Sequence, residues 1–190
     1  EPAHYEEKIG RVIKEVDRLN AMLDQLLQLA RLEGGHIPVH RTPVALDALF
    51  RTLAEKWYPQ LQEKNMDLRL KIPPASILST DAALLNIILD NLLGNAIKYG
   101  NPGGFIDCIW QPEMETLTIR DNGPGIPAEH LPRLFDRFYR ADDARSTAVP
   151  GAGLGLSMAK KLADLLGIQL SVSSQLGEGA VFVLDCSGTP

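Results

Sequence analysis

The chain has 190 residues, enough for one full domain and a small appendage, and its 45% hydrophobic content is ordinary for a globular protein. A net charge of −5 argues against a general nucleic-acid surface, while Cys108 and Cys186, isolated and without a CxxC spacing, argue for a reducing, cytoplasmic setting. No signal peptide, internal repeat or apolar run long enough to span a bilayer is visible.

The first predicted element is a helix over residues 5–33. Ile9, Val16, Leu23 and Ala30 recur every seven residues, with Val12, Leu19 and Leu26 at the intervening heptad positions. Such a seam cannot bury itself alone and calls for partner helices. Gly34-Gly35 ends it. The chain then divides into this appendage (1–35), a linker (36–43) and a domain (44–190). The domain opens with a helix from Leu46 to Lys64 and strand candidates at Asp67–Ile72 and Ser76–Leu78.

A second helix of the domain follows from Thr80, with Thr80 and Asp81 as capping residues. Leu84, Ile88, Leu92 and Ala96 form a buried stripe, widened by Leu85, Leu89 and Leu93. Asn91 and Asn95 are four apart and share a face, and Lys98 stays near it. Amide oxygens can ligate a hard cation, and a lysine can meet phosphate as a point charge. The same residues also suit a solvated polar stripe.

Phe105–Trp110 and Glu115–Asp121 read as paired strands. The second breaks at Asp121-Asn122-Gly123-Pro124-Gly125. A carboxylate at a strand end can accept a hydrogen bond from an exocyclic amine, such as that of adenine. The two glycines let the backbone turn tightly, although ordinary turns have this composition too. Leu134 to Arg140 comes next, then a polar segment, 141–150, short of large apolar residues. Arg133, Arg137, Arg140 and Arg145 cluster along it, which suits phosphate contact or a solvated basic loop. Gly151-Ala152-Gly153-Leu154-Gly155-Leu156 then opens a helix from Leu154 to Leu166, putting backbone N–H groups at the positive end of a dipole. Its G-x-G-x-G spacing is neither the dinucleotide fingerprint nor the P-loop. Ile168–Ser174 and Ala180–Cys186 close the chain as a hairpin around Gly177-Glu178-Gly179. The fold class is therefore α+β, a two-layer sandwich with a mixed sheet covered on one face by helices. The four histidines make no metal-ligand spacing.

Taken together, these segments resemble the ATP-binding domain shared by sensor histidine kinases, type II topoisomerases, heat-shock chaperones and mismatch-repair ATPases. They are most similar to the histidine kinases of two-component systems. Asn91 to Tyr99 resembles the N box, Asp121 to Gly125 the first glycine box, Leu134 to Arg140 the F box, and Gly151 to Leu156 the second glycine box. The resemblance implies a Bergerat-type fold that binds ATP and Mg²⁺. Asn95 would ligate the metal, with Asn91 in support. Lys98 would contact phosphate, and Tyr99 would lie against the nucleotide. Asp121 would hold the adenine amine, with Gly123, Gly125 and Ile126 around the base. Arg140, or more weakly Arg137, would reach the γ-phosphate. Gly151, Gly153, Leu154, Gly155 and Leu156 would cradle the phosphates, and residues 141–150 would form a lid. The N-terminal helix resembles the second helix of the dimerisation and phosphoacceptor hairpin. The implied partners are a second copy through that helix bundle and a response-regulator receiver domain. The implied setting is the cytoplasmic side of a bacterial inner-membrane sensor, with any membrane contact made by a region before Glu1.

One position separates the subfamilies. The topoisomerase, chaperone and repair ATPases carry a glutamate where this chain has Asn91. An amide cannot serve as general base for water, so Asn91 fits phosphoryl transfer to a protein group. Two features depart from the kinase pattern. The phosphoacceptor motif His-Glu-x-x-x-Pro is absent, and His40-Arg41-Thr42-Pro43 does not supply it. Ala180 also stands where relatives often have Thr. The alternatives are a hydrolysing ATPase of the glutamate-bearing group and a non-enzymatic dimerisation or regulatory module.

Overall fold

The computed structural model describes residues 8–10, 12–13, 16, 19–20, 22–23, 26–27, 30, 34, 37–141 and 153–188. It falls into two units, Glu1–Ile37 and Pro38–Pro190. In the first, every described residue from Lys8 to Ala30 is helical. Ile9, Val12, Val16, Leu19 and Leu23 of the heptad seam are between 48% and 62% exposed, which leaves an apolar stripe in water. Among the described residues, no helix is long and apolar enough to cross a membrane.

The second unit runs β1 (Thr42–Ala45), α1 (Leu46–Glu63), β2 (Asp67–Lys71), β3 (Ile77–Thr80), α2 (Ala82–Tyr99), β4 (Phe105–Gln111), β5 (Thr116–Asp121), α3 (Gly155–Leu166), β6 (Gln169–Gln175) and β7 (Gly179–Asp185). Five strands form one mixed sheet in the order β2-β4-β5-β7-β6. β2 is parallel to β4, and the remaining pairs are antiparallel. Period-2 alternation puts Ile106, Cys108 and Trp110 of β4, Leu117 and Ile119 of β5, and Phe182 and Leu184 of β7 in the core. They meet the apolar stripe of α2 (Leu85, Ile88, Leu89, Leu92) and that of α3 (Met158, Leu162, Leu166). This is the expected α+β sandwich. Burial also pushes the thiols of Cys108 and Cys186 up to about 12, so neither is a ready nucleophile.

Two elements differ from expectation. Thr42 and Pro43, read as the end of the linker, begin β1, which pairs antiparallel with β3 through Thr42↔Thr80 and Pro43↔Ser79. β3 accordingly spans Ile77–Thr80 and not Ser76–Leu78. Proline fits here because a two-stranded sheet is all edge and the ladder tolerates its missing N–H.

Side chains fix where the helices begin and end. Asp81, not Thr80, caps α2: its Oδ1 accepts from the N–H groups of Ala83 at 3.0 Å and Leu84 at 3.1 Å. Its Oδ2 accepts from the His40 N–H at 2.8 Å. Burial raises this carboxyl, but the three N–H donors outweigh that and hold it below the usual range. At the far end of α2, the Lys64 ammonium donates to the carbonyls of Ile97 at 2.8 Å, Lys98 at 2.7 Å and Gly100 at 3.3 Å. Arg41 donates to the Leu166 carbonyl at 2.9 Å and so closes α3. Asp90 accepts from Trp57 Nε1 at 3.0 Å and Lys56 Nζ at 2.7 Å, which locks α1 against α2.

Candidate functional site

Asn91, Asn95 and Lys98 lie half-buried along one side of α2. The Asn91 amide donates back to the Ile87 carbonyl at 2.8 Å, which leaves its Oδ1 facing α3. A Cβ added to Gly155 would sit 2.6 Å from that oxygen. Glycine at 155 therefore lets the first turn of α3 approach the α2 amide. Lys98 lies over the Tyr99 ring with its Nζ 4.7 Å from the centroid. Tyr99 is exposed.

The N-terminus of α3 has no side-chain cap. Its first backbone N–H groups point out at the positive end of the helix dipole, next to Asn91. Leu154 is fully buried and anchors this end, and its carbonyl accepts from Ser157 Oγ at 2.9 Å. Leu156 is half-buried. Gly153 has φ +72°, and its carbonyl accepts from the Phe138 N–H at 2.9 Å. Phe138 itself is left-handed at φ +60° and exposed. The F-box segment is thereby tied to the entry of α3. Arg137 and Arg140 are exposed on that segment. It is braced from within by a 2.6 Å contact between His130 Nδ1 and the Tyr139 hydroxyl, and by Arg133 stacked on the Tyr139 ring. Gly151 and residues 142–150, including Arg145, lie outside the described residues.

The second part of the site is at the end of β5. Asp121 is 8% exposed. Its Oδ1 accepts from the Gly123 N–H at 2.8 Å and the Ala180 N–H at 3.3 Å. Desolvation by burial raises its pKa above the ordinary carboxylate value, and these N–H groups offset only part of the rise. Oδ1 is spoken for, so Oδ2 is the oxygen with capacity for a donor from outside. Gly125 has φ +76°, and a Cβ there would lie 2.1 Å from the Gln175 carbonyl oxygen, so the glycine turn is pressed directly against the end of β6.

The family described as histidine kinase-, DNA gyrase B-, and HSP90-like ATPase matches residues 80–187. The chain belongs to this family. Within it the chain is similar to the swarming motility regulation sensor protein RssA of Serratia marcescens, 38% identical over 94% of this chain and 38% of RssA. It is also similar to the sensor protein SrrB of Staphylococcus aureus, 32% identical over 97% of this chain and 32% of SrrB. The chain thus spans about a third of the length of these curated relatives. Among solved structures, full-length ShkA in complex with AMPPNP superposes with a TM-score of 0.75 and 28% identity, covering 92% of this chain and 37% of that one. The second unit is a histidine-kinase-type ATP-binding domain.

Among the described residues no group of three or more His, Cys, Asp or Glu could hold a metal ion. A Mg²⁺ ion arriving with phosphate oxygens would find a neutral oxygen donor in the Asn95 amide. Two residues of the site escaped the sequence reading. Ser174 Oγ accepts from the Ile126 N–H at 2.8 Å and donates to the Gly179 carbonyl at 2.6 Å. Asn122 Oδ1 accepts from the Phe105 N–H at 2.6 Å and pins the start of β4 to the glycine turn. Asn122 lies inside the recognised glycine turn but carries no role in the sequence pattern, and Ser174 has no spacing that points to Ile126, 48 residues earlier.

Proposed function

We propose that this domain binds Mg-ATP and transfers the γ-phosphate to a histidine on a dimerisation helix, for relay to an aspartate of a response-regulator receiver domain. The observation that carries the reading is an amide, Asn91, facing the uncapped N-terminus of α3. A phosphate cradle lined by an amide in place of a carboxylate has no general base for water, so it favours transfer to a protein acceptor. A histidine kinase of the same fold, ThkA, has been solved in complex with the response regulator TrrA. The curated relatives are named as sensor proteins, which supports a parent that places this domain on the cytoplasmic side of a bacterial membrane.

The resemblance to the histidine-kinase pocket gives each residue its role. Asp121 Oδ2 accepts the adenine amine, with Gly123, Gly125 and Ile126 forming the wall around the base. Gly153, Leu154, Gly155 and Leu156 bring the α3 amides to the phosphates, and Gly151 takes the corresponding role before them. Lys98 turns from Tyr99 toward phosphate, and Tyr99 lies against the nucleotide. Arg140, with Arg137 as the weaker alternative, reaches the γ-phosphate. Asn95, supported by Asn91, holds Mg²⁺, which when bound neutralises phosphate charge. Such positioning and charge neutralisation account for most of the catalysis in phosphoryl transfer.

A titration with a fluorescent ATP analogue tests this reading. Mg²⁺ should tighten binding, and Asn95→Ala should lose roughly tenfold of the Mg²⁺-dependent gain while keeping Mg²⁺-free affinity. The native chain should then phosphorylate a separate histidine-bearing helix hairpin in trans. Substantial steady-state hydrolysis without transfer would favour the hydrolysing branch of the family. Absence of nucleotide binding would leave a regulatory module.

The exposed heptad seam supports a second copy as the partner of the N-terminal helix. The native chain should self-associate in sedimentation equilibrium, and the double variant Leu19→Glu with Leu23→Glu should run as a monomer with unchanged ATP affinity.

A further inference from the structure

Ser174 sits on β6 directly opposite Ala180 of β7, in a register that also pairs Val172 with Phe182 and Leu170 with Leu184. Its side chain is therefore on the face that carries the buried residues Phe182 and Leu184. The hydroxyl uses both of its capacities: the oxygen accepts from the Ile126 N–H and its proton goes to the Gly179 carbonyl. One side chain thus joins the loop after β5 to the turn that enters β7.

Those same two segments hold Asp121. Gly123 donates to Oδ1 from the loop, and Ala180 donates to it from β7. Gly177 N–H adds a third tie, to the Pro124 carbonyl at 2.8 Å. The direction in which Asp121 presents its second oxygen depends on how these segments are spaced. The Ser174 hydroxyl is a second side-chain bridge between them, beside Asp121 itself.

Resting on the reading of this pocket as an ATP site, we propose that Ser174 is a positioning residue for the purine. It holds the Ile126 backbone and the Gly179–Ala180 backbone at the spacing that aims Asp121 Oδ2 at the base amine. It thereby sets the preference for adenine over guanine. Adenine presents an amine donor at the position where guanine presents a carbonyl acceptor. A carboxylate oxygen rejects the second only if it cannot move away.

Isothermal titration with ATP, GTP and inorganic tripolyphosphate tests the proposal on the native chain, Ser174→Ala, Ser174→Cys and Ser174→Thr. Ser174→Ala should weaken ATP binding by about tenfold and GTP binding little, so that the ATP/GTP ratio contracts by a similar factor. Tripolyphosphate, which has no base, should bind unchanged. Ser174→Thr should restore the ratio, and Ser174→Cys, with a weaker donor of similar size, should fall between. An unchanged ratio in Ser174→Ala and Ser174→Cys would overturn the proposal. So would an equal loss for all three ligands in step with a lower melting temperature, the mark of a purely structural hydroxyl. If the native chain binds ATP no better than tripolyphosphate, the pocket reading itself fails, and that is seen before any variant is compared.

Discussion

Asp121→Asn should weaken ATP binding by about a hundredfold, close to 3 kcal/mol, without destabilising the domain. The two oxygens of Asp121 have different duties. Oδ1 accepts from the Gly123 and Ala180 N–H groups, so an asparagine here must turn its carbonyl oxygen to them. Its NH₂ then occupies the Oδ2 position and meets the adenine amine donor to donor. The shape of the site is kept while the sign of one hydrogen bond is reversed. Stability should move the other way. The carboxylate is 8% exposed and its ionised form is disfavoured by burial. Replacing it with a neutral isostere removes that cost at neutral pH. Calorimetric titration paired with thermal denaturation separates the two effects. Lost affinity together with a lowered melting temperature would mean that Asp121 is a structural residue.

The same carboxyl fixes the sign of a pH dependence. Its folded-state pKa is raised, chiefly by desolvation, so the native protein takes up a proton in a range where the unfolded chain has already lost it. The stability contributed by that proton is present below the unfolded value and is lost as pH rises through the folded one. Nucleotide binding needs the ionised form and should therefore fall as pH drops through the same raised value, earlier than for an ordinary aspartate. A pH series of ATP affinities on native chain and Asp121→Asn checks this: the native curve should bend, and the variant's curve should lose that bend.

The parts of this architecture that could be read from sequence are those whose signal is periodic. Leu84, Ile88 and Leu92 announce α2 by their spacing, and Leu117 and Ile119 announce β5 by alternation. Asp121 stood out because a strand pattern stops at a carboxylate followed by two glycines. β1 did not announce itself, because four residues that include Pro43 carry no alternation to recognise. Ser174 was invisible for a different reason. Serine in a strand has no spacing of its own, and its value comes from Ile126, 48 residues earlier in the chain. The back-bond from Asn91 to Ile87 is likewise a choice between two hydrogen bonds that composition does not decide. Periodicity thus marks α2 and β5 as elements, while the ties made by Ser174 and Asn91 depend on partners that no local pattern signals.

Gly179→Ala should be strongly damaging, and comparison with Gly177→Ala shows why. Both glycines are left-handed, at φ +89° and +81°. Any L residue at either position bears a conformational cost of about 1–2 kcal/mol. Beyond that cost they differ. A Cβ on Gly177 meets nothing within 4 Å, whereas one on Gly179 would lie 2.0 Å from the Asp121 carbonyl oxygen and 2.7 Å from its carbonyl carbon. The obstructing atoms are backbone at the end of β5, so relief requires that strand and the β7 entry to separate. That separation would break the Ala180 N–H bond to Asp121 and the Ser174 bond to the Gly179 carbonyl. Gly177→Ala should therefore lower unfolding free energy by about 1 kcal/mol and leave ATP affinity intact. Gly179→Ala should lower it by roughly 3 kcal/mol or more and abolish ATP binding even where the domain still folds. Urea denaturation midpoints with equal slopes, read beside ATP titrations under conditions where both variants are folded, measure the difference. Equal costs for the two would mean that left-handed geometry alone is responsible and that the close approach of β7 to Asp121 is relaxed in solution.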